Sequence, residues 1–176
     1  MAFHVPGDVP DLQSLHLDHL SQSIGTVGPC TVGFIGHTEL RRVCLDFPRL
    51  AAAFWRLTLI DASILREWIS NLGARDAQAR AAHLICEMVV RLDAINQVEQ
   101  ASCSWPITQV DLASALGISP VHVNRTLQAL RRADLITLEK GTLTVQDWQA
   151  LKDLGQFDSE YLHLRVTEDP SLPRLH

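Results

Sequence analysis

Between Thr108 and Lys140 the chain sets out side chains suited to hydrogen bonding with a nucleic acid: Thr108, Gln109, Ser119, His122, Asn124, Arg125 and Lys140, with Pro120 and Val121 among them. A guanidinium such as that of Arg125 can donate two parallel hydrogen bonds to guanine, and the Asn124 carboxamide can pair with adenine if it faces the groove, although its place suggests the flank. Val121 offers an apolar surface to a thymine methyl. Thr108, Gln109, Ser119 and His122 suit phosphate oxygens, which fix register without reading sequence, and Lys140 is a further backbone contact. Residues 120–132 carry three arginines and no acid, so nothing in that stretch repels a phosphate. The chemistry expected is non-covalent reading of duplex DNA. There is no Ser/His/Asp order, phosphate loop or supported carboxylate pair, so no catalytic residue and no enzymatic activity are expected.

The elements that must carry these groups are two short helices around a tight turn, followed by a β-hairpin. Ser119 followed by Pro120 reads as an N-cap with proline at the first helical position. Gly117 lies where the turn needs a positive φ. Ala113 lies where two helices cross closely, and Leu112, Leu116, Ile118, Val123 and Leu127 supply the apolar face between them. DLITLEKGTLTV then reads as the hairpin, the outline of a winged helix-turn-helix. Arg131 and Arg132, late in the second helix, suit solvated surface or its C-terminal dipole equally well.

Upstream, Leu50, Ala53, Leu57, Ile60, Ile64 and Trp68 recur at helical spacing close to a heptad, which predicts a helix over 49–72 that pairs two chains. Gly73 reads as its stop. A further helix is expected from Asp76 to about Asn96, then a polar linker from Gln97 to Trp105. Asp147 caps a last short helix ending near Gly155, and the proline-bearing tail from Arg165 reads as loose. Residues 1–40 are rich in glycine and proline, with a β-like run at Thr31 to Ile35.

The bulk numbers agree with a globular protein of one large or two small domains: 176 residues, 47% hydrophobic and 20% charged. No secretory signal or membrane-length apolar run is present, so a cytoplasmic location is expected. Cys30, Cys44, Cys86 and Cys103 are dispersed, and His16 and His19 have no third ligand nearby, so no metal site is expected. The net charge of −5 is unusual for a DNA-binding chain. Locally it vanishes: residues 105–148 hold four basic groups (Arg125, Arg131, Arg132, Lys140) and four acidic ones (Asp111, Asp134, Glu139, Asp147). Modest, strongly salt-dependent affinity follows.

The run ITQVDLASALGISPVHVNRTLQALRRADLITLEKGTLTV resembles the winged-helix signature of the Crp/Fnr family of bacterial transcription regulators. FHVPGDVPDL is similar to the turn opening the ligand cassette of that family's β-roll sensor, and PCTVGFIGHTELRRVCLDFPRLAAAFW to its last strands and the entry to the dimer helix. The resemblance covers residues 3–148 and is strongest over 107–145. It implies a mostly α fold with a small β component: a truncated β-roll remnant over 1–48, a dimerisation helix over 49–72, a winged helix-turn-helix over 73–155 and a tail over 156–176. It also implies a homodimer on double-stranded DNA, with RNA polymerase as a further partner. The pattern is incomplete, because only two residues precede Phe3 and the first half of the sensor is missing. Leu12 and Leu20–Ser21 stand where cyclic-nucleotide-binding members carry a Glu and an Arg–Ser pair. No Lys or Arg precedes Arg41, and the cysteine cluster of iron–sulfur members is absent, so no cofactor is expected. The alternative reading is a truncated interaction module that pairs with a full-length paralogue.

Overall fold

A computed structural model describes residues 2–20 and 23–164, so Ser21 and the tail from Arg165 lie outside the described residues. The helices are α1 (His37–Asp46), α2 (Pro48–Ala74), α3 (Ala77–Asp93), α4 (Gln109–Leu116), α5 (Pro120–Arg132) and α6 (Trp148–Gly155). The strands are β1 (Val98–Glu99), β2 (Ser102–Ser104), β3 (Ile136–Glu139) and β4 (Thr142–Val145). Single 3₁₀ turns lie at Leu12–Leu15 and Ser159–Leu162. No helix among the described residues is long and apolar enough to cross a membrane.

The main core is built on α3, whose N-terminus is fixed by Asp76 accepting from the backbone N–H groups of Gln78 and Ala79. Leu84, Ile85 and Val89 from α3 pack with Leu112, Leu116, Val123, Leu127, Leu130, Ile136, Leu143 and Leu151. The antiparallel sheet runs β1-β2-β4-β3. It contains a hairpin where a polar linker was expected over 97–105, with Val98 opposite Cys103 and Glu99 opposite Ser102. Its two turn residues, Gln100 and Ala101, both adopt positive φ (48° and 61°). A primed two-residue turn is normally signalled by Asn or Gly, and neither stands here.

The N-terminal forty residues differ from expectation. No strand forms before Val98 among the described residues, and Thr31 to Ile35 lies outside any helix or strand. A strand needs a ladder partner, and this segment meets none. The Pro6–Gly7 turn does form: Gly7 has φ 98° and Asp8 accepts a 2.9 Å hydrogen bond from the Val5 N–H. Leu12 and Leu15 join Leu40 in a small second apolar cluster, with Val9, Cys44 and Phe54 against it. Arg41 donates to the Leu15 carbonyl at 2.8 Å.

Helix α2 runs to Ala74, and Arg75 is its C-cap, so Gly73 lies inside the helix rather than ending it. The expected seam divides. Ile64 is only 8% exposed, and Ile60 and Trp68 pack beside it on the chain's own core. The opposite face carries a second heptad stripe, Ala51, Trp55, Thr58, Ala62, Leu65, Ile69 and Leu72, in which Trp55 and Ile69 are 69% and 72% exposed.

A buried polar network ties α2, α3, the last 3₁₀ turn and the N-terminal segment together. Glu87 Oε2 accepts from Trp68 Nε1 at 2.9 Å and from the Tyr161 hydroxyl at 2.8 Å. Arg91 bridges Glu87 at 3.2 Å and Asp8 at 2.6 Å, and also donates to the Phe3 carbonyl. His83, fully buried, places Nδ1 3.1 Å from the Gly155 carbonyl and Nε2 3.0 Å from the Tyr161 hydroxyl. Burial pushes its proton affinity below the ordinary imidazole value, and Arg75 adds to the effect.

Candidate nucleic-acid interface

The two helices that carry the candidate residues are locked by their ends. Thr108 caps α4: its hydroxyl oxygen accepts from the Asp111 N–H, and the Asp111 carboxylate accepts from the Thr108 amide at 3.0 Å and its hydroxyl at 2.7 Å. That reciprocal box stabilises the helix by about 1 kcal/mol. The hydroxyl and then the amide of Thr108 hold the Asp111 carboxyl below the usual carboxylate range. Both Thr108 donors are therefore engaged within the box. Gly117 follows with φ 64°, the left-handed turn expected at that position. Ser119 caps α5 by accepting from the His122 N–H at 3.3 Å, with Pro120 in the first turn. The Ser119 hydroxyl proton remains available to a phosphate.

The buried side of α5 is Val123, Thr126, Leu127 and Leu130. Val121, Arg125, Gln128 and Arg132, spaced 4, 3 and 4, form its outermost exposed line. Arg125 makes no ion pair among the described residues, so its guanidinium is uncommitted. Arg131 and Arg132 turn back on the protein, Arg131 to the Leu138 carbonyl at 3.4 Å and Arg132 to the Gln128 carbonyl at 3.3 Å. Arg132 thus bonds a carbonyl of its own helix, while Arg131 reaches across to β3.

Asn124 sits on the flank toward α4. Its Nδ2 donates to Gln109 Oε1 at 3.4 Å, and its Oδ1 accepts from Gln128 Nε2 at 2.9 Å. Gln109, Asn124 and Gln128 thus form a ladder of three carboxamides across both helices, with Asn124 occupied on both sides. The sequence showed three polar residues but not this link, because it depends on how α4 and α5 cross.

The wing is β3 and β4 joined by Lys140 and Gly141, both at positive φ (48° and 78°). Gly141 O accepts from the Trp105 N–H at 2.7 Å, which anchors the wing tip to the segment leading into α4. Lys140 is exposed there. Among the candidates, Ser119, Pro120, Val121, His122 and Arg125 share the exposed start of α5, Thr108 and Gln109 share the start of α4, and Lys140 stands alone at the tip.

Residues 79–154 match the family model described as the Crp-like helix-turn-helix domain. The chain is 28% identical over 118 residues to the transcriptional activator protein FnrL of Cereibacter sphaeroides, covering 64% of this chain and 47% of FnrL. It is 27% identical over 154 residues to the nitrogen fixation regulation protein FixK of Azorhizobium caulinodans, covering 87% of this chain and 61% of FixK. The chain therefore spans only about half to three-fifths of these curated relatives. Among solved structures, FixK2 from Bradyrhizobium japonicum superposes with TM-score 0.61 at 19% identity, covering 68% of this chain and 59% of that one. A CooA mutant from Carboxydothermus hydrogenoformans superposes with TM-score 0.56 at 19% identity, over 67% of this chain and 54% of that one. At such identities the shared feature is the fold. Over residues 79–154, then, the chain is similar to the Crp-like helix-turn-helix domain, and the curated relatives it resembles are a transcriptional activator and a nitrogen fixation regulation protein.

Proposed function

We propose that the chain is a dimeric, sequence-specific DNA-binding regulator that does not respond to cyclic nucleotides. The observation that carries the DNA reading is the outward line of α5: a capped helix with no acidic side chain and an uncommitted Arg125 at its exposed centre. In this reading α5 enters the major groove, Arg125 reads a guanine and Val121 packs on a thymine methyl. Ser119, His122 and Gln109 contact phosphates, as does Lys140 from the wing. Thr108 does so only by giving up a bond to Asp111.

The second copy is placed along α2, on the stripe of Trp55, Leu65, Ile69 and Leu72 that the chain's own core leaves uncovered. Within residues 1–48, Leu12 is buried in an apolar cluster and Arg41 is tied to the Leu15 carbonyl, so neither is placed to hold a cyclic nucleotide. Binding to a pool of random duplexes, read by gel shift at two salt concentrations, tests the proposal. A pseudo-palindromic site with half-sites about one helical turn apart is expected. Arg125→Ala should cost about 1–3 kcal/mol on that site and relax one base pair per half-site. Lys140→Ala should weaken all sequences alike and lower the salt slope by about one unit. No retained duplex at low salt would refute the reading, and micromolar cyclic AMP binding in a calorimeter would refute its last clause.

A further inference from the structure

The sequence offers Asn124 to adenine if its side chain faces the groove, although its place suggests the flank, and on that flank each end of its amide holds one hydrogen bond within the protein, which fixes its plane away from the outer line of α5. One end of the ladder is therefore the Gln128 amide, which stands in the outer line with Val121 and Arg125. One Nε2 hydrogen of Gln128 goes to Asn124 Oδ1, leaving the second Nε2 hydrogen and Oε1. One donor beside one acceptor complements the major-groove edge of adenine, which presents N7 as acceptor and N6 as donor. It does not complement guanine, which presents two acceptors there. A free glutamine would give up rotamer entropy to hold such a pose. The bond to Asn124, itself held by Gln109 on the other helix, fixes part of it in advance.

Resting on the DNA reading above, we infer that Gln128 is a specificity-determining residue for an adenine, and that Asn124 is its positioning residue rather than a base contact. Gln128 lies three residues past Arg125, about 4.5 Å further along the helix axis. The base-pair rise is about 3.4 Å. With α5 lying along the groove, that step is about one base pair, so the adenine adjoins the guanine that Arg125 reads.

The test uses the full chain and duplexes selected from a random pool, with affinity read by fluorescence anisotropy for each base at each position. The wild type should prefer adenine by about tenfold or more at the position beside the Arg125-dependent guanine. Gln128→Ala should erase that preference and leave the guanine preference intact. Replacing the adenine by 7-deazaadenine, which lacks the N7 acceptor, should weaken the wild type and leave Gln128→Ala unaffected. Asn124→Ala should blunt the adenine preference alone, at an unchanged Tm. Asn124→Asp, which still accepts from Gln128, should restore the preference at a lower overall affinity. A guanine preference at that position would mean that the amide presents its two hydrogens instead, and would overturn the inference. So would a Gln128→Ala loss equal on every sequence, which marks a phosphate contact. Either result with the Arg125 behaviour intact sinks this inference alone, whereas no duplex binding by the wild type sinks the reading beneath it.

Discussion

Gly155, at the end of α6, packs directly on the backbone of α3, and adding one methyl there should be costly. A Cβ at that position would lie 2.7 Å from the His83 nitrogen and 3.0 Å from the Ala82 carbonyl carbon and the His83 Cα. All three are main-chain atoms, so no side chain can swing away. Ordinary contact between carbons is about 3.5–4.0 Å, so α6 must retreat by roughly 1 Å and stretch the bond between His83 and the Gly155 carbonyl. Overpacking of this kind costs about 1–3 kcal/mol. In a chain of this size each kcal/mol shifts Tm by about 2–4 °C, so Gly155→Ala should melt about 2–12 °C lower. Gly73→Ala supplies the opposite sign: it is helical, and a Cβ there meets nothing within 4 Å. Relief of the glycine backbone entropy should add about 0.5–1 kcal/mol and raise Tm by a few degrees. Differential scanning calorimetry of both variants decides the matter. A Gly155→Ala chain that melts within about 1 °C of its parent would refute the claim that α6 and α3 meet through backbone contact.

The other predictions concern association, thiols and pH. Ile69→Lys combined with Trp55→Lys should give monomers by light scattering at an undiminished helical signal, whereas Ile64→Lys buries a charge in the chain's own core and should unfold it; a persistent dimer in the double variant would place the interface elsewhere. Burial pushes the Cys86 thiol up to about 12 and the Cys103 thiol in the same direction, so at pH 8 a disulfide reagent should modify exposed Cys30 first and reach Cys86 and Cys103 only after denaturation. His83 holds a proton less readily folded than unfolded, so its contribution to stability is complete above pH 6.5 and lost as pH falls through the lower folded value; urea midpoints should decline from pH 7.5 to pH 5, and a flat profile would contradict the neutral ring.

How much of this was legible in the sequence follows from what each element depends on. The helix-turn-helix and wing are specified locally, by the Thr108 and Ser119 caps, by Gly117 in its left-handed turn and by Lys140–Gly141 at the hairpin tip. The β1–β2 hairpin was hidden because Gln100 and Ala101 make its turn without the residues that normally announce one. In α2, apolar residues lie on two opposite faces, and periodicity gives the spacing of each stripe without saying which one the core will claim. Thr31 to Ile35 has strand-like composition but no neighbour to pair with. At the interface the exposed line of α5 was readable from helical spacing, while the occupation of Asn124 was not, since Gln109 reaches it from another helix.

The Tyr161 hydroxyl has one proton and two acceptors within reach. With His83 neutral, its Nδ1–H is spent on the Gly155 carbonyl and its Nε2 presents a lone pair, so Nε2 and Glu87 Oε2 compete for the same phenolic hydrogen. Burial and then Glu87 raise the phenol's pKa, so that hydrogen stays on the oxygen and can only be redirected by rotation about the C–O bond. Both acceptors belong to α3, one helical turn apart. Whichever way the hydroxyl points, the C-terminal turn stays fastened to the same helix. What changes is whether the imidazole or the carboxylate receives the phenolic hydrogen, a tether that trades partners without letting go.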